Sequence, residues 1–198
     1  MIKEFEHYLD FWLQGQRKGF AGDLPRTRLE DGSKIVFLRK HPLLYVDRWY
    51  GSDSGGGQTI LYKSIGMQDS ESPLKIIEGT PTSVIPIARL GYSGEIVRRF
   101  TEEEMEKLRK TFGDTSQSDI IWRVLKAALS KVERERPLRG PGQVIFIEFP
   151  GFKYISEEKH SGDNRIIGEE IISFAGNSCF SGNYDFALIK KNLEDKLN

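Results

Sequence analysis

The chain is expected to fold as an α+β domain, a mostly antiparallel curved sheet with three main helices. Three observations carry that expectation. Short runs rich in Ile, Val, Leu and Tyr alternate with clusters of Gly, Pro, Asp and Ser, the pattern of strands and turns. No segment of helical length separates the successive runs, so they join as antiparallel neighbours. Two strongly patterned helical segments then interrupt the series before strands resume.

Size and composition set the outer limits. At 198 residues the chain suits one domain over 1–198. Within it, a lobe at 20–97 and a lobe at 137–190 would flank a helical pair at 101–133. Lysine and arginine number 29, as do aspartate and glutamate, so no global field draws the chain to nucleic acid or an anionic membrane. Cys179 is the only cysteine, which excludes an intrachain disulfide and a cysteine-cluster metal site. The opening MIKEFEHYLDFWLQ is acidic and lacks the apolar run of a signal peptide. The expected location is the cytoplasm.

In chain order, Ile2, Phe5, Leu9, Trp12 and Leu13 recur at helical spacing, predicting an amphipathic helix over 2–14 that Gly15 and Gly19 end. Residues 20–33 read as a polar loop. Strands are expected at Lys34–Arg39, Leu43–Tyr50, Gln58–Ile65, Leu74–Ile77 and Ser83–Leu90. Gly55–Gly57 lacks the Gly-Lys-Ser/Thr of a phosphate loop and reads as a mobile hairpin loop. Thr101 with Glu104 spells a capping box, and Phe100 with Met105 a hydrophobic staple, so a helix starts there and Gly113 breaks it. A second helix should start near Ser116 or Ser118 and bury Ile121, Leu125, Ala128, Leu129 and Val132 before Pro137 stops it. Its largely apolar character argues against a DNA-reading helix, which needs an exposed face. Arg139–Gly142 reads as a turn whose arginine is suited to an anion. Strands follow at Gln143–Glu148, Phe152–Glu157, Gly168–Phe174 and Ser178–Phe186, with Gly176-Asn177 supplying positive φ in the last turn. IKKNLEDKLN reads as a short terminal helix or a frayed tail.

Few residues announce chemistry. His7, His41 and His160 are never at metal-ligand spacing, so no metal or other cofactor is indicated. His160 lies near Glu157, Glu158 and Glu169, and a carboxylate beside an imidazole would make an acid–base pair. Glu169 and Glu170, if in a strand, face opposite sides and cannot share one cleft. In YVDRWY the same alternation puts Tyr45, Asp47 and Trp49 on one side and Val46, Arg48 and Tyr50 on the other. Mixed aromatic and charged faces of this kind suit a groove or an interface. No GxSxG elbow surrounds Ser161 or Ser181. Cys179 reads as a small buried residue.

The order of segments resembles the DUF5680 family, domains without an assigned activity. The resemblance rests on the opening helix before GFAG (19–22), then YVDRWYGSD (45–53), the helix leading into PLRGPG (137–142), then SGD (161–163), GEEII (168–172) and FSGNYD (180–185). It spans nearly the whole chain. Where family members carry a GEE-like phrase in the first repeat, this chain reads GGGQT (55–59). Of a Trp-x-Met-x-Tyr-x-Gly strand it keeps Gly91, Tyr92 and Gly94. The resemblance implies a divergent member, and some relatives are joined to helix-turn-helix domains.

The reading that results is a non-catalytic module binding a small molecule or a protein, through Arg48, Trp49, Tyr50, Tyr154, His160 and Glu169. The alternatives are an enzyme using His160 with Glu157, Glu158 or Glu169, and a transcription-associated protein; homo-oligomers suit either binding role. Two pseudo-repeated units, Tyr45–Gly94 and Tyr154–Tyr184, are expected to contribute to one sheet, with Gly57 and Gly168 ahead of corresponding strands.

Overall fold

Alternating side chains line the two faces of one sheet, across which the chain runs back and forth. The computed structural model describes residues 3–19, 21–51, 54–65, 84–136, 138–140 and 142–189. Its strands are β1 (Thr27–Arg28), β2 (Lys34–Lys40), β3 (Leu43–Gly51), β4 (Ser54–Ser64), β5 (Val84–Ile96), β6 (Gln143–Ile145), β7 (Phe152–Ser161), β8 (Arg165–Phe174) and β9 (Asn177–Leu188). They lie in the order β1-β2-β3-β4-β5-β9-β8-β7-β6, every neighbouring pair antiparallel. One meander therefore runs from an edge to the centre. The chain then leaves through two helices, restarts at the opposite edge and meanders back. The meanders meet at β5 and β9, where Tyr92 lies directly opposite Tyr184.

The helices cover one face. A 3₁₀ turn at Lys3–Tyr8 leads into α1 (Leu9–Lys18), which extends past the predicted end. Gly15 is inside α1 because the Tyr45 ring presses there: a Cβ on Gly15 would sit 2.2 Å from Tyr45 Cδ2. Trp12 meets Tyr45 and Phe186 edge to face at 5.8 and 5.7 Å. Thr101 caps α2 (Glu102–Phe112) with both bonds of the box: Glu104 N–H donates to Thr101 Oγ1 at 3.2 Å, and Thr101 N–H to Glu104 Oε2 at 2.9 Å. Ser116 caps α3 (Gln117–Ser130), and the five apolar residues expected to face inward, Ile121 to Val132, are all buried. Gln117 fixes the entry angle of α3, donating to the Arg98 carbonyl and accepting from Phe100 N–H, both at 2.7 Å. At the far end Arg17 Nη2 donates to the Val132 carbonyl at 2.6 Å and ties α1 to the exit of α3. No helix among the described residues is long and apolar enough to cross a membrane.

Three local expectations are corrected. Gly55–Gly57 is part of β4, paired on both sides, instead of a loop. Glycine is needed at Gly57 because the Tyr92 ring lies across it, its Cζ 2.6 Å from where a Cβ would be. The hairpin between β8 and β9 places its positive φ at Ala175 (48°) and Gly176 (84°), one residue earlier than predicted, so that Phe174 pairs with Asn177 across a two-residue turn. The strand expected at Gln143–Glu148 stops at Ile145. The strand read at Leu74–Ile77 and all but the first residue of the terminal tail lie outside the described residues.

Two substitutions probe this framework. Thr101→Ala, which removes one bond of the box, should lower the unfolding free energy by about 0.5–2 kcal/mol. Leu125→Ala, at a site 1% exposed, should lower it by about 2–5 kcal/mol. Denaturant melts measure both. A Leu125→Ala protein as stable as its parent would contradict the burial of α3.

Candidate functional site

The helix-bearing face is polar at its centre. Asp47 on β3 and Thr59 on β4 are paired across the strands, and both are 1% exposed. Tyr92 reaches from β5 over Gly57 to donate its hydroxyl to Asp47 Oδ1 at 2.7 Å, and Thr59 donates to the same oxygen at 3.1 Å. Burial pushes the Asp47 carboxyl up to about 6, against the lowering pull of those two hydrogen bonds and of the Arg139 charge.

Arg139 occupies the turn after α3 and is 5% exposed, beside Glu170 of β8 at 1%. Its Nε donates to Glu170 Oε2 at 3.2 Å and its Nη2 to Oε1, a bidentate pair. Tyr154 Oη lies 3.0 Å from both the Arg139 carbonyl and Glu170 Oε2. The guanidinium also stacks over the Tyr92 ring, 4.7 Å from its centroid. Burial works against the Arg139 charge, but the Glu170 carboxylate overrides it and holds the pKa above the ordinary arginine value. This pair and the Asp47 cluster are thus joined through one tyrosine.

Above this network a cleft of about 240 Å³ opens between α3 and the sheet. Arg139, Glu170 and Tyr92 border it; Trp49 and Trp122 contribute from β3 and α3; backbone at Gly55, Gly56 and Gly94 contributes from the strands. Gly94 has no room for a side chain, since Phe180 crosses it 2.3 Å from where a Cβ would lie. Arg26, Lys34, Lys126 and Asp119 add further charged groups to the lining.

The residues singled out from sequence divide between the two faces. Trp49 faces inward and lines the cleft, while Tyr50, 66% exposed at the strand end, reaches its mouth. Tyr154 is in the buried network beside Glu170 instead of on an open surface. Arg48 lies on the opposite face, where it pairs with Asp31 and donates to Ser33 Oγ at 2.9 Å. Glu169 also points away and lies 3.4 Å from Lys159; its neighbour Glu170 is the inward one. Glu157, bonded to Lys159 at 2.6 Å, and Glu158 are exposed. His160 is exposed opposite Ile167, in register with Arg48 but five strand spacings away, about 24 Å. Trp49 and His160 are not brought together. Cys179 is buried, and desolvation pushes its thiol up to about 12.

Several cleft residues were passed over in the sequence. Trp122 and Lys126 stand four apart on α3, a spacing that puts them on one helix face, and that signal was available. No family model, curated protein or solved structure matches the chain.

Asp47 carries a pH dependence of defined sign. Its folded pKa of about 6 stands above the ordinary 3.8, so ionisation is easier in the unfolded chain. Its stabilising contribution is complete below about pH 4 and is lost as pH rises through 6, a change on the order of 3 kcal/mol. Asp47→Asn keeps an oxygen to accept from Tyr92 and Thr59 but cannot ionise. Urea melts from pH 4 to 7.5 should show the stability of wild type relative to Asp47→Asn falling by about that amount. A difference that stays constant with pH would contradict it.

Proposed function

We propose that the protein is a non-catalytic binding module whose small-molecule ligand occupies the cleft between α3 and the helix-bearing face of the sheet. One observation carries the reading. The cleft is bounded by two indoles and by strand backbone at Gly55, Gly56 and Gly94, so a flat ligand can lie against peptide groups. Its floor is a charge pair whose groups are already bound to one another, an arrangement suited to holding a shape. The enzyme alternative rested on His160 with Glu157, Glu158 or Glu169, and those side chains are exposed away from the cleft.

The two meanders are read as pseudo-equivalent units, which supports the expectation from sequence. Tyr45 pairs with Leu61 four residues past Gly57, and Tyr154 pairs with Ile172 four residues past Gly168. Tyr92 and Tyr184 pair with Gly57 and Gly168 in turn. That match aligns Asp47 with Ser156 and Thr59 with Glu170, so the halves differ at their polar centres.

Indole serves as an uncharged probe. At millimolar concentration it should perturb the amide resonances of Gly55, Gly56 and Gly94 in wild-type protein. Trp49→Ala should weaken that binding at least tenfold, while Phe112→Ala, a core change outside the cleft, should leave it in place. Saturable perturbation confined to other surfaces would overturn the assignment of the site.

A further inference from the structure

The mouth of the cleft gathers positive charge from three separate parts of the chain. Arg26 belongs to the loop between α1 and β1, and its guanidinium lies over the Trp49 ring, 5.9 Å from the centroid. Lys34 opens β2 and pairs with Trp49 across the strands, so it shares the face on which Trp49 lines the cleft. Lys126 stands one helical turn beyond Trp122 on α3, half-buried. Asp119 is the one carboxylate of the lining besides Glu170, and its side chain accepts from Ser116 Oγ at 2.8 Å. With Arg139 and Glu170 neutralising one another on the floor, the lining as a whole is cationic.

Size and shape narrow the occupant further. About 240 Å³ exceeds the roughly 150 Å³ that encloses a benzene, and falls short of the roughly 300–1,000 Å³ of sites for drug-sized ligands. The space suits one or two fused rings with a small polar substituent. The indoles of Trp49 and Trp122, with the Tyr92 and Phe180 rings, offer aromatic surface to such a body.

We propose that the ligand is a small planar aromatic carboxylate, its ring held between Trp49 and Trp122 against the glycine backbone and its carboxylate directed to Arg26, Lys34 and Lys126. This rests on the cleft being a binding site and adds the charge and chemical class of what binds. Arg26 and Lys34 are exposed and Lys126 is half-buried; the three cations repel one another, and a carboxylate among them relieves the repulsion while forming charge-assisted hydrogen bonds. The state of Lys126 agrees: burial, then the charges of Arg26 and Lys34, hold its ammonium below the ordinary lysine pKa.

Isosteres separate the two levels of the proposal. Indole-3-carboxylate and indole-3-carboxamide have the same shape and differ in charge, and both can be titrated into wild-type protein by calorimetry and amide-shift mapping. The carboxylate should bind at the cleft at least tenfold more tightly, and its advantage should shrink as salt rises. In Lys34→Gln/Lys126→Gln the preference should fall towards unity while carboxamide binding is kept. The Lys126 Nζ pKa, followed through its ¹³Cε shift, should rise when the carboxylate is bound. Equal binding of the two isosteres at the cleft would overturn the anion assignment and leave the binding site standing. Failure of both to perturb the cleft residues would overturn the site as well.

Discussion

The buried pairing of Arg139 with Glu170 is the constraint around which the inner face is arranged. A guanidinium and a carboxylate nearly without solvent must satisfy each other, because removal of one partner from such a pair costs on the order of 3–5 kcal/mol. Arg139 is not on a strand. It sits in the turn after α3, so the pair pins the end of the helical layer to β8. Tyr154 braces that turn from β7, and the Tyr92 ring takes the other side of the guanidinium. One side chain thereby touches both meanders and the exit of the helices.

That arrangement requires large side chains to lean across neighbouring strands, and glycines make room for them. Tyr92 crosses Gly57 to reach Asp47; Tyr184 crosses Gly168 towards Ser156, with oxygens 3.4 Å apart. Phe180 crosses Gly94, and Glu170 crosses Gly182 towards the seam between the meanders. At Gly168 a Cβ would meet both the Tyr184 ring at 2.2 Å and the Glu157 carbonyl at 2.6 Å, so even alanine is excluded without movement. Glycine inside strands ordinarily weakens them. Here each loss of side-chain packing is offset by a ring or carboxylate drawn from the next strand.

Charge is distributed by depth. The floor of the cleft is neutralised within the protein, and the mouth keeps an excess of cations. In the binding role proposed above, the internal pair holds geometry while the cationic mouth faces the incoming group. Asp47 lies behind the floor and responds to pH through burial, with Tyr92 as its connection to Arg139.

Local patterns were legible before any tertiary contact was known. The capping box at Thr101, the apolar stripe from Ile121 to Val132 and the side-by-side placement of Tyr45, Asp47 and Trp49 depend on neighbours within a few residues. The antiparallel character of the sheet followed from the lack of crossovers. Other features needed partners distant in sequence. Period two shows that Glu169 and Glu170 part company but not which of them turns inward, because that depends on where Arg139 returns after α3. Gly55–Gly57 resembles a loop by composition, and it is pairing with β3 on one side and with β5, which brings Tyr92, on the other that makes it a strand. His160 and Trp49 looked equivalent as members of aromatic, charged strands. Five strand spacings and opposite faces separate them, a consequence of the order in which the two meanders join, and strand order is set by long-range pairing that no local pattern encodes.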